Sequence, residues 1–87
     1  GHVPETIKID VEGAEYDVLK GGERVISRYR PNIVLSVHPA DLELVGVSVA
    51  ELSLYIARLG YDVLEPINCT RVDGRLKFGE YILLKNS

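Results

Sequence analysis

The stretch TIKIDVEGAE at residues 6–15 passes from a strand pattern into the beginning of a helix. Apolar and polar side chains alternate over residues 6–11, between Pro4 and Gly13, and this alternation is typical of a strand. A helical apolar pattern over residues 14–29 follows, with acidic Glu15 and Asp17 in its first turn. A strand that leads through a short acidic turn into a helix indicates an α/β fold.

A glycine pair interrupts this helical pattern. Gly21 and Gly22 lie in its middle, and each destabilises a helix by roughly 1 kcal/mol relative to alanine. We therefore predict a kink or a break into two short helices at this point. Pro31 then ends the helical segment.

The rest of the chain extends the order of elements to β-α-β-α-β-β. Strands that alternate with helices of this length favour right-handed crossovers and parallel strands, whereas a last strand reached through a tight turn should run antiparallel. We predict half of an α/β sheet, with mostly parallel strands and an antiparallel last strand. A strand at residues 32–37 comes next. A helix follows, which begins at the capping box of Ser48 and Glu51 and ends at Gly60. The last segments are a strand at residues 61–67, a hairpin turn at Asp73-Gly74 and a strand at residues 78–84.

Composition narrows the class of protein. The 87 residues fit one domain, which we place at residues 3–85, with Gly1 and His2 interpreted as the remnant of a tag. The net charge of −3 is spread along the chain, which disfavours a nucleic-acid partner. A single cysteine, Cys69, and the lack of a long apolar run or a signal peptide favour a soluble, cytoplasmic protein without a membrane partner.

Candidate functional residues follow two of the predicted strands. Ligands of open α/β sheets gather at the carboxyl ends of parallel strands, which brings residues 10–15 beside residues 36–39. The first loop offers the carboxylates of Asp10, Glu12 and Glu15, and the second offers His38, whose proton can move near neutral pH. Structural explanations remain open: a helix cap for Asp10, favourable interaction with the helix dipole for Glu12 and Glu15, and a hydrogen-bonded loop histidine.

Three runs in the first half of the chain carry a family resemblance. IKIDVEGAE at residues 7–15, VLKGG at residues 18–22, and a proline before an apolar strand occur in an order and spacing that resemble the FkbM methyltransferase family. The resemblance is most specific over residues 6–39. It implies the C-terminal half of a Rossmann-like methyltransferase sheet and methyl transfer from S-adenosylmethionine to an oxygen of a sugar or secondary metabolite.

The resemblance also implies roles for individual residues. Asp10 and His38 are the catalytic candidates, with Asp10 beside the reaction centre. Ser36 occupies a position where the family often has an acidic residue, so the role of that carboxylate does not transfer to this chain. The residues expected to line the substrate or cofactor cleft are Asp10, Glu12, Gly13, Glu15, Ser36 and His38.

The expected cofactor site is incomplete in this sequence. The family binds S-adenosylmethionine with a glycine-rich turn after the first strand of the sheet and an acidic residue after the second, and neither occurs here. We predict that this fragment alone binds the cofactor weakly and is inactive, while the full-length protein binds both the cofactor and a small-molecule acceptor.

Two other functions remain open at this stage. The strand edge at residues 7–11 could make the chain a protein-binding module or a homodimer. The carboxylate cluster could bind a divalent cation, although we predict no metal, because oxygen ligands often cluster by chance.

Overall fold

Strands and helices alternate through residues 6–10, 12–72 and 75–86, the part of the chain that the computed structural model describes. The elements are β1 (Thr6–Ile9), α1 (Glu15–Gly21), α2 (Glu23–Tyr29), β2 (Asn32–Val37), α3 (Pro39–Leu44), α4 (Val49–Arg58), β3 (Tyr61–Leu64) and β4 (Gly79–Lys85).

The strands form one four-stranded sheet in the order β1-β2-β4-β3. β1 pairs with β2 in parallel, while β4 lies antiparallel between β2 and β3. The α/β class and the antiparallel last strand are confirmed. The prediction of a mostly parallel sheet is wrong: β4 inserts between β2 and β3, so the sheet is mixed. Among the described strands only the β1–β2 pairing is parallel.

A single apolar core holds the helices against this sheet. On β2 the alternate residues Ile33, Leu35 and Val37 are completely buried, whereas Val34 and Ser36 between them are only partly buried. One face of this central strand therefore packs more tightly than the other. The other fully buried aliphatic side chains of the described residues are Leu19, Leu42, Leu52, Ile56 and Leu83.

Local sequence signals set several helix boundaries. The predicted break occurs, because α1 ends at Gly21 and α2 begins at Glu23, with Gly22 between them. The capping box at α4 is also confirmed: the backbone N–H of Glu51 donates to Ser48 Oγ at 3.1 Å, and the N–H of Ser48 donates to the Glu51 side chain.

Two elements differ from the sequence prediction. α3, which begins at Pro39, was not predicted, because six residues with one buried side chain, Leu42, are too short to show a period. β3 ends at Leu64 rather than at residue 67, because the backbone N–H of Ile67 donates to the Glu65 side chain in a turn. The proposed hairpin turn at Asp73-Gly74 lies outside the described residues, as does residue 11 of the first strand.

Candidate functional site

The ends of three strands meet at one rim of the sheet. Ile9, the last residue of β1, lies opposite Leu35 on β2, so that Asp10 emerges close to the end of β2. β4 runs in the opposite direction, and its first residues Gly79 and Glu80 pair with Val37 and Ser36. The sheet therefore brings residues from both ends of the sequence to this rim.

A cleft of about 250 Å³ opens at this rim. A larger groove of about 620 Å³ lies along α4, between Leu54 and Arg75, but it is not at the strand ends and contains none of the candidate residues. We therefore place the candidate site in the smaller cleft. Among the described residues its lining consists of Asp10, Ser36, Val37, His38, Phe78, Gly79 and Glu80.

His38 connects this cleft to the interior of the protein. Its side chain is 13% exposed, and its Nε2 lies 3.8 Å from Oδ1 of Asp10, which is 53% exposed. Nδ1 on the other side of the ring forms a hydrogen bond with Oε1 of Glu15. The ring of Phe78 packs against the imidazole at a centroid distance of 5.4 Å and an interplanar angle of 77°.

Glu15 is a buried carboxyl group with both oxygens in hydrogen bonds. The residue is 0% exposed, and its Oε2 accepts from the backbone N–H of Gly13 at 3.1 Å, while Oε1 forms a hydrogen bond with Nδ1 of His38. A buried polar group is costly unless it is paired in this way. Glu15 is therefore more than an exposed acidic residue that favours the helix dipole.

The turn before α1 packs directly against α3. Gly13 has a φ of +90°, and a Cβ atom at this position would lie 3.0 Å from both the Cβ and the carbonyl oxygen of Asp41. Only glycine fits this turn without strain. The N-cap position of α1 is Ala14, and no side chain of the described residues forms a capping hydrogen bond there, so the interpretation of Asp10 as the cap of this helix is wrong.

The surroundings of His38 change its acidity. The hydrogen bond to Glu15 raises the pKa of His38 above the ordinary value of 6.5, and the negative charges of Glu15, Asp10 and Asp41 act in the same direction, while burial opposes them. A histidine of this kind exchanges a proton near neutral pH, as acid–base catalysis requires.

Comparison with known proteins identifies the family. The sequence profile of the methyltransferase FkbM domain matches residues 1–63, more than half of the chain. The chain belongs to the FkbM methyltransferase family. The match includes Glu15 and His38, whereas Phe78 and Glu80 of the cleft lie beyond it.

The fold is similar to that of a solved member of this family. The crystal structure of methyltransferase FkbM from Methylobacillus flagellatus aligns with a TM-score of 0.57 and 25% sequence identity, over 95% of this chain and 20% of the other. This chain thus spans about a fifth of the length of the FkbM structure that it resembles. No curated protein matches it significantly.

The structure separates the predicted site residues into groups. Asp10, Ser36 and His38 line the cleft of this FkbM chain, whereas Gly13 and Glu15 lie behind His38, away from solvent. Glu12 is exposed and is not among the lining residues. The described residues contain no group of three or more potential ligands that could hold a metal ion, and none of their helices is long and apolar enough to cross a membrane.

Sequence reasoning missed one whole side of the cleft. Phe78, which is 76% exposed, and Glu80 reach the cleft only because β4 lies beside β2. The sequence predicted β4 but gave no indication that this strand pairs with β2. The only available signal was a large aromatic residue at the beginning of a predicted strand, which more often indicates packing.

Proposed function

We propose that this chain forms one side of the active site of an S-adenosylmethionine-dependent O-methyltransferase, in which His38 accepts the proton of the acceptor hydroxyl. One observation carries the proposal: a buried carboxyl group holds one nitrogen of His38, while the other nitrogen faces a cleft beside Asp10. Family membership supports the reaction class, and the acceptor we propose is a hydroxyl group of a sugar or secondary metabolite.

The residues of the chain can assist O-methylation in a simple way. When bound, S-adenosylmethionine supplies a methyl group attached to a positively charged sulfur. His38 Nε2 would take the proton of the acceptor hydroxyl while its oxygen bonds to the methyl carbon. The bond between that carbon and the sulfur would break, and the demethylated cofactor would leave as a neutral thioether. Glu15 stabilises the resulting imidazolium through Nδ1–H. Asp10 orients the acceptor by accepting a hydrogen bond from a hydroxyl in the cleft.

The cleft does not fit the entire cofactor. Pockets that enclose a drug-sized ligand have volumes of roughly 300–1,000 Å³, whereas this open cleft measures about 250 Å³. Its size suits one sugar ring or a similar acceptor group better than a complete nucleoside. We propose that the full-length protein supplies the cofactor site, and that the chain alone neither binds S-adenosylmethionine tightly nor transfers methyl groups.

The same proposal covers the location and the partners of the protein. The single thiol, Cys69, is exposed, and an exposed free thiol suits the reducing cytoplasm. The net charge of −3 disfavours a nucleic-acid substrate. We propose a cytoplasmic enzyme that acts on small molecules.

Cofactor titration of the chain and of the full-length protein tests this function. S-adenosylmethionine and its demethylated product are added to each, and the backbone amide shifts of residues 10–15 and 36–39 are followed. We expect saturable shifts in the full-length protein and none in the chain alone. A folded full-length protein that binds neither compound would contradict the proposed function.

A substitution of His38 tests the proposed base. In the full-length protein, His38→Gln should lower kcat by about 10²–10⁴-fold, the usual contribution of general acid–base catalysis, with cofactor affinity unchanged. Ser53→Ala, on α4 and outside the cleft, is the control and should leave kcat unchanged. Unchanged kcat in His38→Gln would remove His38 from the mechanism.

A further inference from the structure

The position of Glu15 in its helix does not explain why the side chain is buried. It is the first residue of α1, a position where an acidic side chain normally interacts with the helix dipole while it remains in water. Here the side chain turns inward and is 0% exposed. A carboxyl group in this position loses its hydration, so the hydrogen bonds that replace it indicate what the residue does.

The two hydrogen bonds of Glu15 fix the orientation of its carboxyl group. Oε2 accepts from the N–H of Gly13, in a turn that packs against the backbone of Asp41. Because that oxygen is held by the backbone, Oε1 is directed at Nδ1 of His38. A carboxylate accepts hydrogen bonds only, and its imidazole partner must therefore carry a hydrogen on Nδ1.

The charged groups that raise the pKa of His38 are all acidic. Asp10 approaches from the end of β1, Glu15 from α1 and Asp41 from α3, and Glu80 on β4 lines the same cleft. Of the residues that the structure describes, only Glu15 forms a hydrogen bond with the ring. Asp10 is 3.8 Å from Nε2, which is beyond hydrogen-bonding distance and leaves Nε2 open to the cleft.

We infer that Glu15 is a positioning residue that fixes His38 in the Nδ1–H tautomer, so that Nε2 presents its lone pair to the acceptor. This inference rests on the proposed function, because it states how the proposed base is kept ready. It also explains why a carboxyl group is buried behind the cleft: partners of this kind set both the orientation and the basicity of an imidazole.

The tautomer can be measured directly in the chain itself. The chain has two histidines, and a His2→Ala variant leaves the imidazole of His38 as the one observed by ¹⁵N NMR. Above the pKa of His38, we expect Nδ1 to show the shift of a protonated nitrogen and Nε2 that of an unprotonated one. Histidine in water favours the opposite tautomer. An Nε2–H form or an even mixture would overturn the inference.

Two substitutions distinguish the effect of the hydrogen bond on His38 from the effect of a nearby negative charge. Glu15→Gln removes the carboxylate with little change in size, so we expect a mixture of tautomers and a lower pKa for His38. Asp41→Asn removes a neighbouring charge that makes no hydrogen bond with the ring, and should leave the tautomer unchanged. An unchanged tautomer in Glu15→Gln, with the fold intact by amide NMR, would show that Glu15 does not select it.

Activity provides a second readout in the full-length protein. Glu15→Gln should lower kcat by about 10–100-fold, the size of the loss when the hydrogen-bond partner of a metal-bound histidine is removed, with less than about a twofold change in KM. The acidic limb of its pH–rate profile should move to lower pH. A fixed tautomer without any methyl transfer would contradict only the proposed function, whereas normal activity with the tautomer lost would contradict only the role of Glu15.

Discussion

Among single residues, the pair of His38 and Glu15 links protonation to stability. Their hydrogen bond raises the pKa of His38 in the folded chain above the unfolded value of 6.5. Protonated His38 therefore stabilises the fold. This contribution is complete below about pH 6.5 and is lost as the pH rises through the higher folded pKa.

We predict that the free energy of unfolding falls as the pH rises through this window. Urea denaturation of the chain at half-unit steps from about pH 6 to 9 measures it. His38→Asn removes the titrating group and should flatten the dependence of the unfolding free energy on pH. His2→Ala should show the same slope as the unsubstituted chain. An identical slope in His38→Asn would show that another group is responsible.

The sequence predicted the cleft residues better than the residues behind them. Asp10, Ser36 and His38 directly follow or end strands, and the carboxyl ends of parallel strands share one rim. The burial of Glu15 could not be predicted, because it depends on α3 and on the turn at Gly13. In the sequence alone, an acidic residue in a first helical turn is already explained by the helix dipole.

Among the secondary-structure elements, the contact between α3 and the turn at Gly13 determines how the site is assembled. We predict that Gly13→Ala destabilises the chain by about 2–5 kcal/mol, because it combines a strained positive φ of about 1–2 kcal/mol with a clash against Asp41 of about 1–3 kcal/mol. Urea denaturation measures the loss.

Gly46 provides a matched control for this substitution. It also has a positive φ, +82°, but nothing lies within 4 Å of an added Cβ. Gly46→Ala should therefore show the backbone strain alone and lose less stability than Gly13→Ala. If the two variants lost equal amounts of stability, the contact between α3 and Gly13 would contribute nothing to the cost of the Gly13→Ala substitution.

The capping box of α4 supports a second prediction at this level. Ser48→Ala removes the side chain that accepts from the N–H of Glu51, and should lower the free energy of unfolding by about 1 kcal/mol. Ser53→Ala, inside the same helix, should change it by only a few tenths of a kcal/mol, because alanine favours helix interiors. Equal effects in thermal or urea denaturation would argue against the cap.

The sequence predicted the elements whose boundaries are set by a few neighbouring residues. Ser48 with Glu51, and the pair Gly21 and Gly22, act on the backbone next to them, and the structure follows both. α3 and the early end of β3 at Leu64 depend on packing and on a side-chain hydrogen bond of Glu65. A short sequence pattern reveals neither the packing of α3 nor the hydrogen bond of Glu65.

For the molecule as a whole, the order of the strands was the main uncertainty. A turn after β3 shows that β4 runs antiparallel, but not on which side of β3 it lies. The structure places β4 between β2 and β3, where completely buried Leu83 lies opposite Ile33 and Val63. That position satisfies hydrogen bonds on both sides of β4 and brings Phe78 and Glu80 to the cleft.

β1 lies at one edge of the sheet, and within the described residues it pairs only with β2. A strand edge of this kind offers unpaired backbone groups to another strand. We predict that the chain forms a symmetric dimer through β1, with a mass by sedimentation that rises with concentration. A mass that stays monomeric at every concentration would contradict this.

A charge added to the edge tests where such a dimer forms. Thr6 and Thr70 are both exposed, but only Thr6 belongs to β1, where Lys8 is already exposed. Thr6→Lys places a second positive charge on the edge strand and should weaken the dimer, because charged side chains on an edge oppose pairing. Thr70→Lys changes the net charge by the same amount and should leave dimerisation unchanged. Equal weakening by both variants would show that association depends on net charge rather than on β1.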